Sequence, residues 1–543
     1  MKKLLFVILT YFYCISALFS QSDSITFNLS GYGQVGNDEL QPLWLYANEW
    51  GKYPQCDQSS LLLYAGAQYS IVNRAQFSLS TGVGGVLNAE LNESFLHEFY
   101  LKGKAWIFDF SMGMEAYSPT VYNDQLSSGL FITNSNARPV PRINIGINDY
   151  LPLGFTNSWV EVRGGISQGW LNDDRGNSSN SANDVLLHEK FAYIRLGKVK
   201  VQPYAGLIHS ALFGGTRPNG DKIPIDFWAT FTAAGSAKIG GGEETNAAGA
   251  HMGLWDFGFY FPLNEWKGHF YYQKPFADGS GMKLYNGMNK DHILGVLIQR
   301  KGKKALTGIS LEWIKTDWQS GKGIPDPLYP VDYQDKKQGQ IIWMRDIEED
   351  YDQFMQEVLG QSPPVGGWTE ELVTQQMEAE LNEGYAFGGR DDYMNNGMYP
   401  SGWTYHGASM GTPLYHTAST VQLYAPDWTF QNRVTFLNNR VNGFHMGLEG
   451  WMTETLNYRV KGTFTNNFGS YGEEYRGRSS WVKSENYFYE EKKNQYYLFG
   501  EVQWQVPSLK NFSISCSMGC DFGDLYQSVS GRVGVIYKPS VKW

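Results

Sequence analysis

The chain ends in V-G-V-I-Y-K-P-S-V-K-W, residues 533 to 543. Read at period two, Val533, Val535, Tyr537, Val541 and Trp543 fall on one face, and Arg532, Gly534, Lys538, Ser540 and Lys542 fall on the other. A strand with one greasy and one wet side, finishing on an aromatic ring, is the expected closing strand of a membrane barrel. Its terminal Trp would rest at the headgroup boundary, where an amphipathic ring is stable.

The same alternation recurs upstream. Trp106, Phe108, Phe110, Met112 and Met114 alternate with Ile107, Asp109, Ser111 and Gly113, and Trp255, Phe257, Phe259 and Phe261 alternate with Asp256, Gly258 and Tyr260. Leu456, Tyr458, Val460, Gly462 and Phe464 alternate with Asn457, Arg459, Lys461 and Thr463. In 512 to 522, Cys516 and Cys520 fall on the apolar face with Met518, ~13 Å apart along an extended strand and too far to bridge. Counted along the chain, such segments number about twenty. They include a pair near 417 to 425 and 429 to 437.

Composition agrees with strands crossing a membrane. Aromatics make up 15% and charged residues only 18%, yet mean hydropathy is −0.38 and no stretch after the first twenty residues approaches the ~18 apolar residues of a spanning helix. Lys2, Lys3 and the apolar run from Leu4 to Phe19 read as a secretory leader over 1 to 20, leaving 21 to 543 as one barrel. Loop parity points the same way. Connections at 72–74, 102–104, 197–198, 301–304 and 425–428 are short and fall on one side, whereas 36–59, 115–140, 209–251, 274–290, 315–416 and 466–494 are long. Short periplasmic turns with long loops facing the cell exterior are the outer-membrane arrangement.

The long loops carry the unusual sequence. L-Q-P-L-W-L-Y-A-N-E-W-G, starting at Leu40, reads as one or two helical turns stopped by Gly51. Residues 345 to 383 read as an acidic helical hairpin split at Pro363 and Pro364, with eleven carboxylates against Arg345, a net of −10. The stretch from Arg390 to Tyr405 concentrates Arg390, Asp391, Tyr393, Tyr399, Trp403 and Tyr405. Rings that stack on sugar C–H groups, beside carboxylates and guanidinium groups that bond hydroxyls, make these six the candidate polysaccharide-binding residues.

Four strings, L-W-L-Y-A-N-E-W-G (43 to 51), L-H-E-K-F-A-Y-I-R-L-G (187 to 197), G-I-S-L-E-W-I (308 to 314) and M-Y-P-S-G-W-T-Y-H-G-A-S-M-G-T-P-L (398 to 414), resemble the capsule assembly Wzi family in its Bacteroidetes-type form. The resemblance implies an all-β fold, a transmembrane antiparallel barrel of about 18 strands with helical loop insertions. It further implies a lumen blocked by helices and loops, and an external face that holds capsular or extracellular polysaccharide.

Other chemistry finds little support. Gly407-Ala408-Ser409-Met410-Gly411 matches a nucleophile elbow, but that motif needs a strand-to-helix turn in an α/β fold. The nine His show no ligand spacing, so no metal or cofactor is expected, and a net charge of −10 disfavours nucleic acid. The partners expected are polysaccharide, outer-membrane lipid and lipopolysaccharide. A porin or substrate-specific channel, and a barrel enzyme acting on lipids, remain the alternatives to a non-enzymatic polymer anchor.

Overall fold

The computed structural model describes residues 24–542 except 119–122, 176–180, 237, 240–247, 278–281, 283–288, 322–331, 335, 338–349, 359, 374, 376–389, 432–433 and 476–482. The leader, Trp543 and both ends of the acidic insertion lie outside the described residues.

The first half of the barrel wall is β1 (Ser24–Gly36), β2 (Ser59–Arg74), β3 (Phe77–Asn88), β4 (Phe95–Ala105), β5 (Phe108–Met114), β6 (Pro141–Pro152), β7 (Val160–Leu171), β8 (Val185–Leu196) and β9 (Gln202–Phe213). The second half is β10 (Ala250–Leu263), β11 (Trp266–Phe276), β12 (His292–Gln299), β13 (Gly308–Lys315), β14 (Val441–Trp451), β15 (Leu456–Asn467), β16 (Lys493–Gln505), β17 (Phe512–Gly523) and β18 (Ser528–Tyr537, resuming as Ser540–Lys542). Each strand pairs antiparallel with its sequence neighbour, and β1 pairs with β18 through Gly33↔Val533, Gly31↔Val535 and Ile25↔Val541. The eighteen strands therefore close, and no row of backbone donors and acceptors is left facing lipid.

The expected faces hold. Ile145, Leu311, Phe444, Leu498 and Val535 are exposed on the outside. On β17, Ser513, Ser515, Ser517 and Asp521 point inward and are buried, while Met518 and the free Cys516 point outward. One rim carries only tight connections, 75–76, 106–107, 153–159, 197–201, 264–265, 300–307, 452–455 and 506–511, and the other carries all the long ones.

Three expectations shift. The pair near 417 to 425 and 429 to 437 does not join the wall: Ala418–Tyr424 is helical and Phe436–Asn438 is a three-residue strand bonded to His416–Thr417. Val421 and Ala425, four apart, pack together against Leu437, so seven residues compatible with both periods take the helical one. Removing this pair turns twenty strands into eighteen and preserves loop parity. The turns expected at 72–74 and 102–104 lie further along, at 75–76 and 106–107. Lys102 and Lys104 belong to β4, where they face Glu115 (2.9 Å) and Asp109 (3.7 Å). Finally, the turn of helix at Leu43–Tyr46 ends at Ala47, before Gly51.

Of the acidic hairpin, Tyr351–Glu357 is helical with Asp350 accepting the Gln353 N–H at 3.0 Å, and 370–373 is helical as well. Phe354, Met355 and Val373 are buried, Phe354 edge-on to the Tyr333 ring.

Candidate functional site

The barrel interior is occupied by three inward-folded stretches of the long-loop rim. The first is the turn at Leu43–Tyr46, apolar all round, every residue of which is buried. Its ends are tied to inward-facing wall groups. Leu43 donates its N–H to Asp521 Oδ2 (2.7 Å), and the Arg532 guanidinium donates to the Leu45 carbonyl (2.6 Å). Trp44 Nε1 donates to Thr463 Oγ1 (2.9 Å), which contacts His445 Nδ1 (2.7 Å). Gly519 is needed here, since a Cβ would sit 2.6 Å from Pro42 Cβ.

The second stretch, 123 to 140, crosses the lumen. At one end the Ser128 N–H donates to Glu312 Oε2 (2.7 Å), whose other oxygen accepts the Tyr271 hydroxyl (2.5 Å), and His445 Nε2 donates to the Leu126 carbonyl (2.9 Å). At the other end Thr133 Oγ1 donates to Glu189 (3.0 Å), which also pairs with Arg142. Glu312 and Glu189 stand on β13 and β8, five strands apart around the ring, so this segment ties together two separated sectors of the wall.

The third stretch, from 390 to 417, lies on the second, with Asn134 donating its N–H to the Met410 carbonyl (2.7 Å) and Thr412 to that of Phe131 (2.9 Å). All six candidate binding residues fall within it, and all six are buried. Arg390 stacks on Tyr475 at 3.7 Å, and Asp391 accepts the Ser320 hydroxyl at 2.7 Å. Tyr393 donates its hydroxyl to Asp291 (2.9 Å), Tyr399 to the Gly214 carbonyl (3.2 Å) and Tyr405 to Asn172 (2.6 Å). Trp403 Nε1 donates to the Ile132 carbonyl at 2.9 Å. Thus the structure brings the six into one layer of the plug, with ring faces packed rather than open to solvent. What reaches solvent from this stretch is Gly397 and the hairpin tip His406–Gly407, both of whose φ angles are positive, 49° and 76°, as a tight hairpin turn demands.

Asp291 is the electrostatic centre of this layer. It accepts the N–H groups of Trp318 (2.9 Å) and Gln319 (2.6 Å) besides the Tyr393 hydroxyl. Burial nonetheless pushes its carboxyl up to about 6. Two small cavities of about 10 and 20 Å³ flank the plug near Glu189, each with room for about one water.

Sequence reasoning missed the wall groups that pin the plug: Glu312, Glu189, Asp521, Arg532 and, from the 172 to 184 loop, Arg175, which donates to the carbonyls of Thr404 (2.6 Å) and Gly402 (2.8 Å). For the four on strands the only local signal is a charge on the wet face, which an open, water-filled lumen would also show. Ser409 of the elbow-like string is buried in a two-residue hairpin strand, with no helix following it. Among the described residues there is no group of three or more His, Cys, Asp or Glu placed to hold a metal.

A closed wall with an apolar exterior and a packed polar interior defines an outer-membrane β-barrel. No protein-family model and no curated protein matches the chain. Among solved structures it is similar to Escherichia coli Wzi, described as an outer membrane protein involved in group 1 capsule assembly and a carbohydrate-binding β-barrel, at 13% identity and TM-score 0.49, over 94% of this chain and 83% of that one. It is also similar to OccAB4 of Acinetobacter baumannii (9%, TM-score 0.43, 96% and 99% covered) and OprD of Pseudomonas aeruginosa (8%, TM-score 0.42, 96% and 95% covered). Likeness this distant does not distinguish a polymer-binding barrel from a channel.

Proposed function

We propose that this barrel anchors capsular or extracellular polysaccharide at the cell surface, with its long-loop rim outside. The observation that carries the reading is the plug: three segments, the first two bonded to separate sectors of the wall and the third bonded to the second, occupy the space a diffusing solute would need. The remaining surface for work is the long-loop face. In this reading Arg390, Asp391, Tyr393, Tyr399, Trp403 and Tyr405 form the polysaccharide-binding layer by holding the exposed tip at His406–Gly407, and the exposed Gly397, in place for the polymer. The test is polymer retention on cells lacking the protein and complemented either with wild type or with Trp403→Ala/Tyr405→Ala. The expected result is more polymer shed into the medium with the double variant, while the barrel's heat-resistant gel migration is unchanged. Equal retention by deletion, variant and wild-type cells would overturn the reading.

A second reading, a substrate-specific channel, draws on charge pairs facing the lumen, Arg195 with Glu161, Lys102 with Glu115 (2.9 Å) and Arg459 with Glu501 (2.8 Å). Planar-bilayer recordings separate the two. Steady ohmic conductance from the intact protein favours the channel, and silence favours the anchor.

A further inference from the structure

One loop element turns the other way. In the connection from β9 to β10, Asp226 caps the short helix Phe227–Thr232 by accepting the Ala229 N–H (3.2 Å), and Ala233, at φ 54°, ends it. The helix lies outside the barrel. Its Phe227 and Phe231 pack on His188, ring centroids 5.8 and 5.2 Å apart, and the Lys190 ammonium sits 3.7 Å over the Phe231 ring while donating to its carbonyl. His188 and Lys190 alternate on β8 with the lumen-facing Glu189 and Phe191, so both point away from the lumen.

The position of these two side chains is the unusual feature. Lys190 and His188 lie six and eight residues from Leu196, which at a usual strand tilt puts them ~15 and ~20 Å above the short-turn rim, within a ~25 Å apolar band. Along the hydrogen-bonded row, Lys190 is flanked by Ile166 of β7, which is 38% exposed and itself pairs with Ile145, and by His209 of β9, which stacks on His251. The lipid-facing row therefore runs from isoleucines into a polar patch. Bare polar and cationic groups at that depth would be costly. The helix covers them and presents Ile225, Phe227 and Trp228 in their place, Trp228 at 71% exposure.

We infer that this helix is a membrane-embedded buttress that completes the apolar wall, with acyl chains of the surrounding lipid leaflet as the occupant of the Ile225–Phe227–Trp228 face. The inference rests on the outer-membrane reading of the wall and is independent of what the plug binds. Lipid is favoured as occupant because the face continues the exposed row at Ile145 and Ile166, and because Trp and Phe are the side chains that settle near the headgroup boundary.

The test uses the full chain with Cys56→Ser, Cys516→Ala and Cys520→Ala, reconstituted in phosphatidylcholine vesicles with and without doxyl-labelled lipid. An environment-sensitive fluorophore is placed through Trp228→Cys, and in parallel through Phe227→Cys, Ile166→Cys and the fully exposed Val365→Cys. Doxyl lipid should quench the labels at 227 and 228 within about twofold of the label at 166, and aqueous iodide should quench them far less than the label at 365. Iodide quenching without lipid quenching would overturn the inference. Shielding from both quenchers, with cross-linking between copies, would overturn it too and assign the face to a second copy of this chain. A label at 166 that fails to sense lipid would instead bring down the reading of the wall, and the buttress with it.

Discussion

The plug stretch from 390 to 417 and the outer helix at Phe227–Thr232 both come from long connections on the same rim, and both are rich in aromatic rings. In the plug the hydroxyls of Tyr393, Tyr399 and Tyr405 and the indole N–H of Trp403 have fixed partners and their rings are enclosed, Trp403 at 2% exposure. On the outer helix the rings cover a charged patch on one side and stand bare on the other. Aromatic content alone says nothing about direction. What separates the two is what lies beneath: carbonyls, carboxylates and guanidinium groups inside, an apolar solvent outside.

If that contrast is right, the variants order themselves. Trp403→Ala should cost the plug about 3–5 kcal/mol, as loss of an enclosed, bonded indole does, read as lost hydrogen-exchange protection across 123 to 140 and 390 to 417. Protection unchanged there would mean the plug does not depend on this ring. Next comes Gly447→Ala on β14, whose Cβ would meet the Leu126 carbonyl oxygen at 2.1 Å. Because backbone must move, the expected cost is about 1–3 kcal/mol, with loosening confined to the 123 to 140 segment in the same measurement.

The pH effect at Asp291 is smaller. Its carboxyl in the folded plug titrates near 6, above the ordinary carboxylate value of 3.8, so its contribution favours the closed plug fully below that ordinary value and is lost as pH rises through 6. Lowering pH from 7 to 5 should tighten the plug by about 1 kcal/mol, seen as slower protease cleavage at the long-loop face after correction for enzyme activity. Looser packing at pH 5 would contradict the sign. Smallest is Trp228→Ala, expected to change protection across 123 to 140 and 390 to 417 by less than about 0.5 kcal/mol, because the indole stands on the outer helix, mostly uncovered by protein. A loss comparable to Trp403→Ala would erase the distinction between the two regions.

The wall was legible from the sequence because period two is a local property. The faces of 108 to 114, 255 to 261 and 512 to 522, the two rims and the leanings of Cys516 and Met518 follow from side chains alternating across a pleat. Of the two surplus strands, one failed locally, over seven residues that suit a helix as well as a strand, and the other shrinks to Phe436–Asn438 outside the wall. The candidate layer was partly legible: its residues were picked out as a cluster, but their enclosure was not, because Tyr393 finds Asp291, Tyr405 finds Asn172 and Trp403 finds Ile132 only in the closed barrel.

Alternation determined that this chain makes a lipid-facing wall with a wet interior, and tertiary structure alone decided which long connections turn into that interior and which turns out against lipid. The physical reason is range. Strand faces are set by neighbours two residues away, whereas the turn at Leu43–Tyr46 is drawn inward by Asp521 and Arg532, nearly the whole chain distant, and the helix at Phe227–Thr232 is held outward by Lys190 and His188 on a strand that must first be placed in the wall.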